Sequence, residues 1–345
     1  MIKFLVYVAI ILAVFAIGYL VRVFELASSL KGNKPHEVTD KDNRLMSRIM
    51  LTFLIAFFAF TIWNLITYAP LMLPESASEH GVDLDWLFNF NWAIIFFVFI
   101  ITQILLFYFA YKYYGRKGNT ATYLAHNNKL EMIWTVIPAI VLSIIIVFGL
   151  KAWNKITAPA SEDAIVIQLY GKQFDWTARY AGKNNQLGAS NYKKITDENA
   201  LGMDSTDSKG FDDIIVKNEF HIPVNKVIEF KLNSRDVIHS AYLPHFRSQM
   251  NCVPGMTTML HFTPIITTAD MRKKPYVINL MAGINALREK RGEKSEEFNY
   301  ILLCNKICGN SHYNMQMTII VESEEDYNKW LDSKKPYFGK AIASK

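Results

Sequence analysis

Cysteine is scarce in this chain, with three residues in 345: Cys252, Cys304 and Cys308. That is too few for a fold stapled by disulfides. The pattern Cys-x-x-Cys-His is missing, which excludes covalently attached haem c. No helix-turn-helix, RNA-recognition or zinc-finger pattern occurs, so nucleic acid is not an expected partner. The formal net charge is only +6, and much of the excess lies in loops that flank apolar runs. Lys and Arg are absent from residues 70–85, an acidic stretch whose emptiness has a topological meaning.

The chain does hold hydrophobic residues, 51% of the total, concentrated ahead of a composition shift at residues 153–161. A helix rises about 1.5 Å per residue, so about 20 apolar residues span a bilayer. Four segments qualify, at residues 4–21, 51–68, 86–111 and 132–150. The first follows Lys3 as a signal peptide would. It is long for that role and lacks a small-x-small site after it, so a retained helix is expected. One basic loop carries Arg22, Lys31, Lys34, Lys41, Arg44 and Arg48, and another carries Lys112, Arg116, Lys117 and Lys129. Both should face the cytoplasm, leaving residues 70–85 and everything after the fourth helix outside. Glu131 opens that helix and Pro138 should kink it. The carboxylate either complements the helix dipole or handles protons at the membrane edge.

Beyond residue 164 the apolar period changes from helical to alternating. Strands are expected at 165–170, 227–232, 258–262, 276–280, 300–303 and 317–321, an antiparallel sandwich or barrel. The polar segment 181–218 reads as a long insertion or mobile loop and not as a strand pair. A helix is expected at 322–331 with Ser323 as its cap.

The chemistry is concentrated in Cys304-Asn-Lys-Ile-Cys308-Gly-Asn-Ser-His312-Tyr-Asn-Met315, a loop between two expected strands. Two thiolates, an imidazole and a thioether form a soft donor set, and methionine favours copper. A mononuclear blue site uses one Cys, so this loop has one too many. Two cysteines can instead bridge two coppers, each completed by a His. His239, at the end of the strand-like run 230–238, is the candidate for the second His. His221 and His261 lie in strand patterns, and His245, after Pro244, is expected at the surface. A Cys304–Cys308 disulfide and a zinc site with His312 stay open on spacing alone.

The string Cys-x-x-x-Cys-Gly-x-x-His-x-x-Met, preceded by Asp236-Val-Ile-His-Ser240 and Val253-Pro-Gly255, resembles subunit II of haem–copper cytochrome c oxidases. Leu130-Glu131-x-x-Trp134-Thr-x-x-Pro138 and Gly171-Lys-Gln-Phe174-Asp-Trp176 extend the likeness over residues 86–331. The resemblance implies a two-helix transmembrane hairpin followed by an all-β cupredoxin-like sandwich, so that with the further apolar runs about four N-terminal transmembrane helices precede the sandwich. It implies a dinuclear CuA centre bridged by Cys304 and Cys308, with His239 and His312 on one copper each. Met315 and the backbone carbonyl of Lys306 become weak axial ligands. Electrons from cytochrome c then pass to haem in subunit I, beside subunit III, for oxygen reduction coupled to proton pumping. Glu131 becomes a proton-channel entrance. The setting implied is a bacterial inner membrane with the copper domain on the periplasmic side, and possible membership of a respiratory supercomplex.

Three departures from the family pattern stand out. Lys306 occupies a position usually held by a Mg-binding Glu, which puts Mg in doubt. Phe174 stands where an electron-entry Trp is usual, and Trp176 is the alternative entry. The extra N-terminal helices and the 181–218 insertion are atypical. The expected organisation is an extra helix and cytoplasmic loop at 1–45, transmembrane helices at 46–153, the copper domain at 162–332 and a tail at 333–345. The soluble half is not strongly acidic, so a membrane-bound or tethered cytochrome c is expected as donor. A quinol-oxidase-type subunit II, a copper-handling assembly protein and the copper domain of a nitrous oxide reductase are the competing readings. The retained ligands, the number of spans and the lack of a His-rich catalytic domain weigh against them in turn.

Overall fold

The computed structural model describes residues 2–30 and 38–339. Lys31 and Lys34 of the first basic loop, and the end of the expected tail, lie outside the described residues. Four helices are long and apolar enough to cross a membrane: α1 (Ile2–Leu30), α2 (Asp40–Tyr68), α3 (Glu79–Lys112) and α4 (Asn128–Thr157). Each extends beyond its apolar run. Thr39 caps α2 in a reciprocal box with Asp42. Their side chains are largely exposed, such as Phe15, Ile66 and Ile146, as expected for surfaces that meet lipid.

The chain divides into two compact units, Met1–Pro70 with Ile94–Asn128, and Leu71–Ala93 with Lys129–Lys345. In the first, Phe53 and Phe57 of α2 pack on Phe107 and Phe99 of α3, with ring centroids 5.3 and 5.7 Å apart. Asn43 donates to the Gly115 carbonyl, and Asp40 accepts from the Lys117 N–H.

The second unit is a sandwich of two five-stranded sheets. One contains β1 (Ile165–Lys172), β2 (Asp175–Tyr180), β3 (Ile214–Lys217), β5 (Ile228–Ser234) and β8 (Thr258–Phe262), ordered β3-β2-β1-β5-β8. The other contains β4 (Glu219–Pro223), β6 (His239–Leu243), β7 (Ser248–Cys252), β9 (Tyr300–Cys304) and β10 (Gln316–Glu322), ordered β4-β10-β9-β6-β7. Inward-facing Ile167, Leu169, Phe220, Phe230, Phe246, Phe262 and Tyr300 interdigitate between them. The sheets are mixed: β1 runs parallel to β5, and β4 to β10.

Several local expectations change. Residues 276–280 lie in a helix, α6 (Pro275–Lys290), which follows the short α5 (Thr268–Arg272). Pro275 pre-sets the first helical turn, and Leu, Met and Ala downstream favour helix over strand. The 181–218 segment ends in a strand, because Ile214–Lys217 pairs with β2. The rest is a pinned loop and not a mobile one. Arg179, fully buried, donates from Nη2 to the Gly188 carbonyl at 2.6 Å and from Nε to Asp213 at 3.0 Å. Ser323 caps α7 (Glu324–Asp332) as expected.

Candidate metal centre

Strand pairing brings the donors together. Ala241 of β6 sits opposite Cys304 of β9, so His239 at the start of β6 lies beside the end of β9. The Asn305 N–H donates to the Ser240 carbonyl and the Cys304 N–H to the Met315 carbonyl, each at 3.0 Å. The loop therefore leaves and re-enters the sheet at one point. A short 3-10 turn at His312–Asn314 folds it back, with the His312 N–H on the Gly309 carbonyl. His239 begins β6; it does not close the preceding run, because β5 stops at Ser234 and a turn through Asp236 intervenes.

Two sets of donors flank a sulfur pair. Cys304 Sγ lies 3.9 Å from Cys308 Sγ, 3.8 Å from His239 Nδ1 and 3.2 Å from the Lys306 carbonyl oxygen. Cys308 Sγ lies 3.6 Å from His312 Nδ1 and 3.8 Å from Met315 Sδ. His239, Cys304 and Cys308 offer ligand atoms within 4.8 Å of one another. Both cysteines are free, their sulfurs 3.9 Å apart against the roughly 2.0 Å of a disulfide bond. Each sulfur has its own imidazole and its own weak donor. One tetrahedral zinc ion cannot use all of them.

The electrostatics fit a bound soft cation. Burial, then the neighbouring Cys304 sulfur, pushes the Cys308 thiol up to about 11. Held away from water beside a second sulfur, the Cys308 thiol resists ionisation unless positive charge lies close by. His239 is prepared for ligation: its Nε2–H donates to Asp236 Oδ1 at 2.7 Å, leaving the Nδ1 lone pair towards Cys304. Burial opposes ionisation of Asp236, but N–H groups of Gln173 and Val237 and the His239 ring hold its carboxyl below the usual range. Gln173 Nε2 also donates to the Cys308 carbonyl at 2.5 Å, tying β1–β2 to the metal loop. The roles of Asp236 and Gln173 are not evident from ligand spacing. Their signal is Asp three residues before a candidate ligand His, and a polar residue in the aromatic segment.

Two glycines make room. A Cβ on Gly171 would meet the His239 ring at 3.0 Å. Gly309 has φ +140, and a Cβ there would meet the Phe174 ring at 2.8 Å. Phe174 therefore lies on the metal loop. Trp176 lies beneath it, 6.1 Å from the His239 ring but only 2% exposed. Glu131 sits in the first turn of α4 with an exposed side chain. Among the other histidines, His221 accepts or donates at Glu322 and stacks on Trp330, and His261 lies in β8. His245 is half-buried against Phe298 and Tyr300, where an exposed position was expected.

The family model described as the cytochrome C oxidase subunit II transmembrane domain matches residues 66–152, and that of the periplasmic domain matches residues 165–268. The second match ends before the Cys304–Met315 loop. The alternative cytochrome c oxidase subunit 2 of Bradyrhizobium diazoefficiens is 31% identical over 274 residues, 79% of this chain and 87% of the relative. Cytochrome c oxidase subunit 2 of Cereibacter sphaeroides is 25% identical over 271 residues, 74% and 78% of the two chains. Among solved structures, the periplasmic domain of subunit II of cytochrome oxidase from Bradyrhizobium japonicum is 22% identical with a TM-score of 0.31, covering 51% of this chain and 94% of that one.

Proposed function

The chain belongs to the cytochrome c oxidase subunit II family, and we propose that it receives electrons at a dinuclear copper centre held by His239, Cys304, Cys308, His312 and Met315. It is a membrane protein with a periplasmic domain, and the membrane proposed is the bacterial inner membrane. The observation that carries this reading is the sulfur pair, 3.9 Å apart, with an imidazole nitrogen beside each sulfur.

Bound copper supplies one-electron chemistry. The protein's task is to keep the donors still between redox states. Cys304 and Met315 sit at the ends of paired strands, Gln173 holds the Cys308 carbonyl, and Asp236 fixes the His239 ring. Cys304 and Cys308 would supply the thiolates shared by the metals, His239 and His312 one imidazole each, and Met315 and the Lys306 carbonyl the weaker donors. Rigid donors lower the reorganisation that each electron requires.

Electrons enter from a cytochrome c, membrane-bound or tethered, and leave to haem in subunit I, beside subunit III, in a proton-pumping oxidase. Trp176, buried against His239, suits an internal relay better than a surface contact. Phe174, half-buried on the metal loop, is the better entry residue. Glu131 is proposed at the mouth of a proton pathway. Lys306, exposed in the metal loop, stands in for a Mg ion with its ammonium; a Mg ion found beside it would overturn that point.

The test is spectroscopic. The purified full chain, loaded with copper, should hold two coppers with hyperfine splitting from two equivalent nuclei. Cys304→Ser should abolish that signal and donor oxidation. A four-line mononuclear signal would refute the dinuclear reading. Retention of the cysteine and histidine donors separates it from a quinol-oxidase-type subunit.

A further inference from the structure

Away from the metal loop, the outer ends of α3 and α4 enclose a cavity of about 490 Å³. Its volume falls in the roughly 300–1,000 Å³ range of small-molecule sites. Its floor is aromatic: Trp86 stacks on Phe90 at 5.5 Å and meets Phe148 edge-on at 5.9 Å. Its upper wall is charged and carries both signs. Lys151 and Lys155, one turn apart on α4, and Asp83 of α3 line it, and Glu79, one turn before Asp83, stands beside Lys155 just outside the lining. Lys155 Nζ lies 3.0 Å from Asp83 and 3.6 Å from Glu79. Lys151 lines the cavity and makes no ion pair among the described residues.

Position along the helices gives this gradient a meaning. Phe148 lies in the last turn of the apolar run of α4, Lys151 is the first charge after it, and Trp86 begins the apolar run of α3. Aromatic rings and lysines at that level mark the boundary between hydrocarbon and headgroups. A phospholipid carries the same gradient, with charges above and a hydrocarbon chain below. Counting Glu79 through its ion pair with Lys155, two carboxylates and two ammonium groups leave this end of the helices close to neutral. That balance matches a headgroup with both signs better than an anionic one.

We propose that this cavity binds a phospholipid bearing a primary ammonium, with its phosphodiester on Lys151 and its ammonium on the outer oxygens of Asp83 and Glu79. The acyl chain runs down over Trp86 and Phe148. A primary ammonium donates hydrogen bonds to both carboxylates, which a quaternary one cannot. The site is independent of the copper reading.

The experiment uses the full chain in nanodiscs with a photoreactive phosphatidylethanolamine, followed by peptide mapping. Labelling should concentrate on residues 83–87 and 148–155. Unlabelled phosphatidylethanolamine should compete, whereas phosphatidylglycerol, phosphatidylcholine and inorganic phosphate should not. Lys151→Glu should lower labelling about ten-fold, and Lys151→Arg should restore it. An unchanged copper spectrum in both variants reports an intact fold. Labelling spread evenly along the helices, equal competition by phosphatidylglycerol or phosphatidylcholine, displacement by inorganic phosphate, or indifference to Lys151→Glu would each overturn the proposal.

Discussion

His239 and Asp236 form a ligand–orienter pair: Nε2–H donates to the Asp236 carboxylate at 2.7 Å while Nδ1 faces Cys304. The carboxylate fixes both the tautomer and the ring angle. Asp236→Asn keeps the shape and removes the charge. Copper affinity should fall about 10–100-fold, read by competition with a chelator of known affinity. An unchanged affinity would mean that the pair has no part in metal binding.

Gly309 makes a second prediction about the same loop. Its φ of +140 suits glycine, and a Cβ there meets Phe174 at 2.8 Å. Gly309→Ala should cost about 1–3 kcal/mol of backbone strain and lower copper occupancy, read by metal analysis. Adding Phe174→Ala relieves the ring contact but not the backbone. Rescue should therefore be partial, and full rescue would assign the whole defect to the ring.

The donor loop was legible because Cys304, Cys308, His312 and Met315 are close in sequence and chemically unusual together. His239 was identified as a candidate but placed at the wrong end of a strand. The run 230–238 carries apolar residues at both ends, Phe230 and Leu232 then Val237 and Ile238, and the turn through Asp236 divides it. Residues 276–280 were misread for a related reason. Tyr, Val and Ile over five positions fit a strand or a helix equally, and Pro275 with the residues after 280 decides. Strands β2, β3, β6 and β7 were not expected, and β4 was anticipated only as the strand pattern around His221. They are short, and pairing with neighbours distant in sequence defines them. Asp236 and Gln173 were hidden because their contacts span turns and sheets that no local pattern reveals.

His245 predicts a pH response. Burial, then the nearby Arg247 charge, lowers its pKa from 6.5 to about 4. Between those values the unfolded chain binds a proton that the folded chain refuses. Stability therefore rises with pH across this window and is lost as pH falls towards 4. A tenfold change in proton affinity is worth about 1.4 kcal/mol, so the penalty is about 2 kcal/mol at pH 5. His245→Phe keeps an aromatic ring against Phe298 and Tyr300 and removes the titration. Denaturant melts of both chains should diverge below pH 6.5 and run parallel above it. Parallel behaviour throughout would remove His245 from the response.

Arg179 and Asp213 form an ion pair with side chains only 1% and 0% exposed, and they fasten the 181–213 loop to the first sheet. Burial raises the Asp213 pKa, and the Arg179 charge opposes it. Arg179→Met removes the cation and strands the carboxylate, at a cost of about 3–5 kcal/mol. For a domain of this size the melting temperature should fall by about 10 °C, followed by near-UV circular dichroism of the full chain in detergent. The loss should shrink at low pH, where Asp213 takes up a proton and no longer needs the cation. Replacing both partners, Arg179→Met with Asp213→Leu, should recover much of the loss, because the desolvated charge is gone. The Gly188 carbonyl still loses its donor in the double variant, so recovery should be incomplete. If the single and double variants melt together, the destabilisation comes from the lost hydrogen bonds to Gly188 and Gln168 and not from the stranded charge.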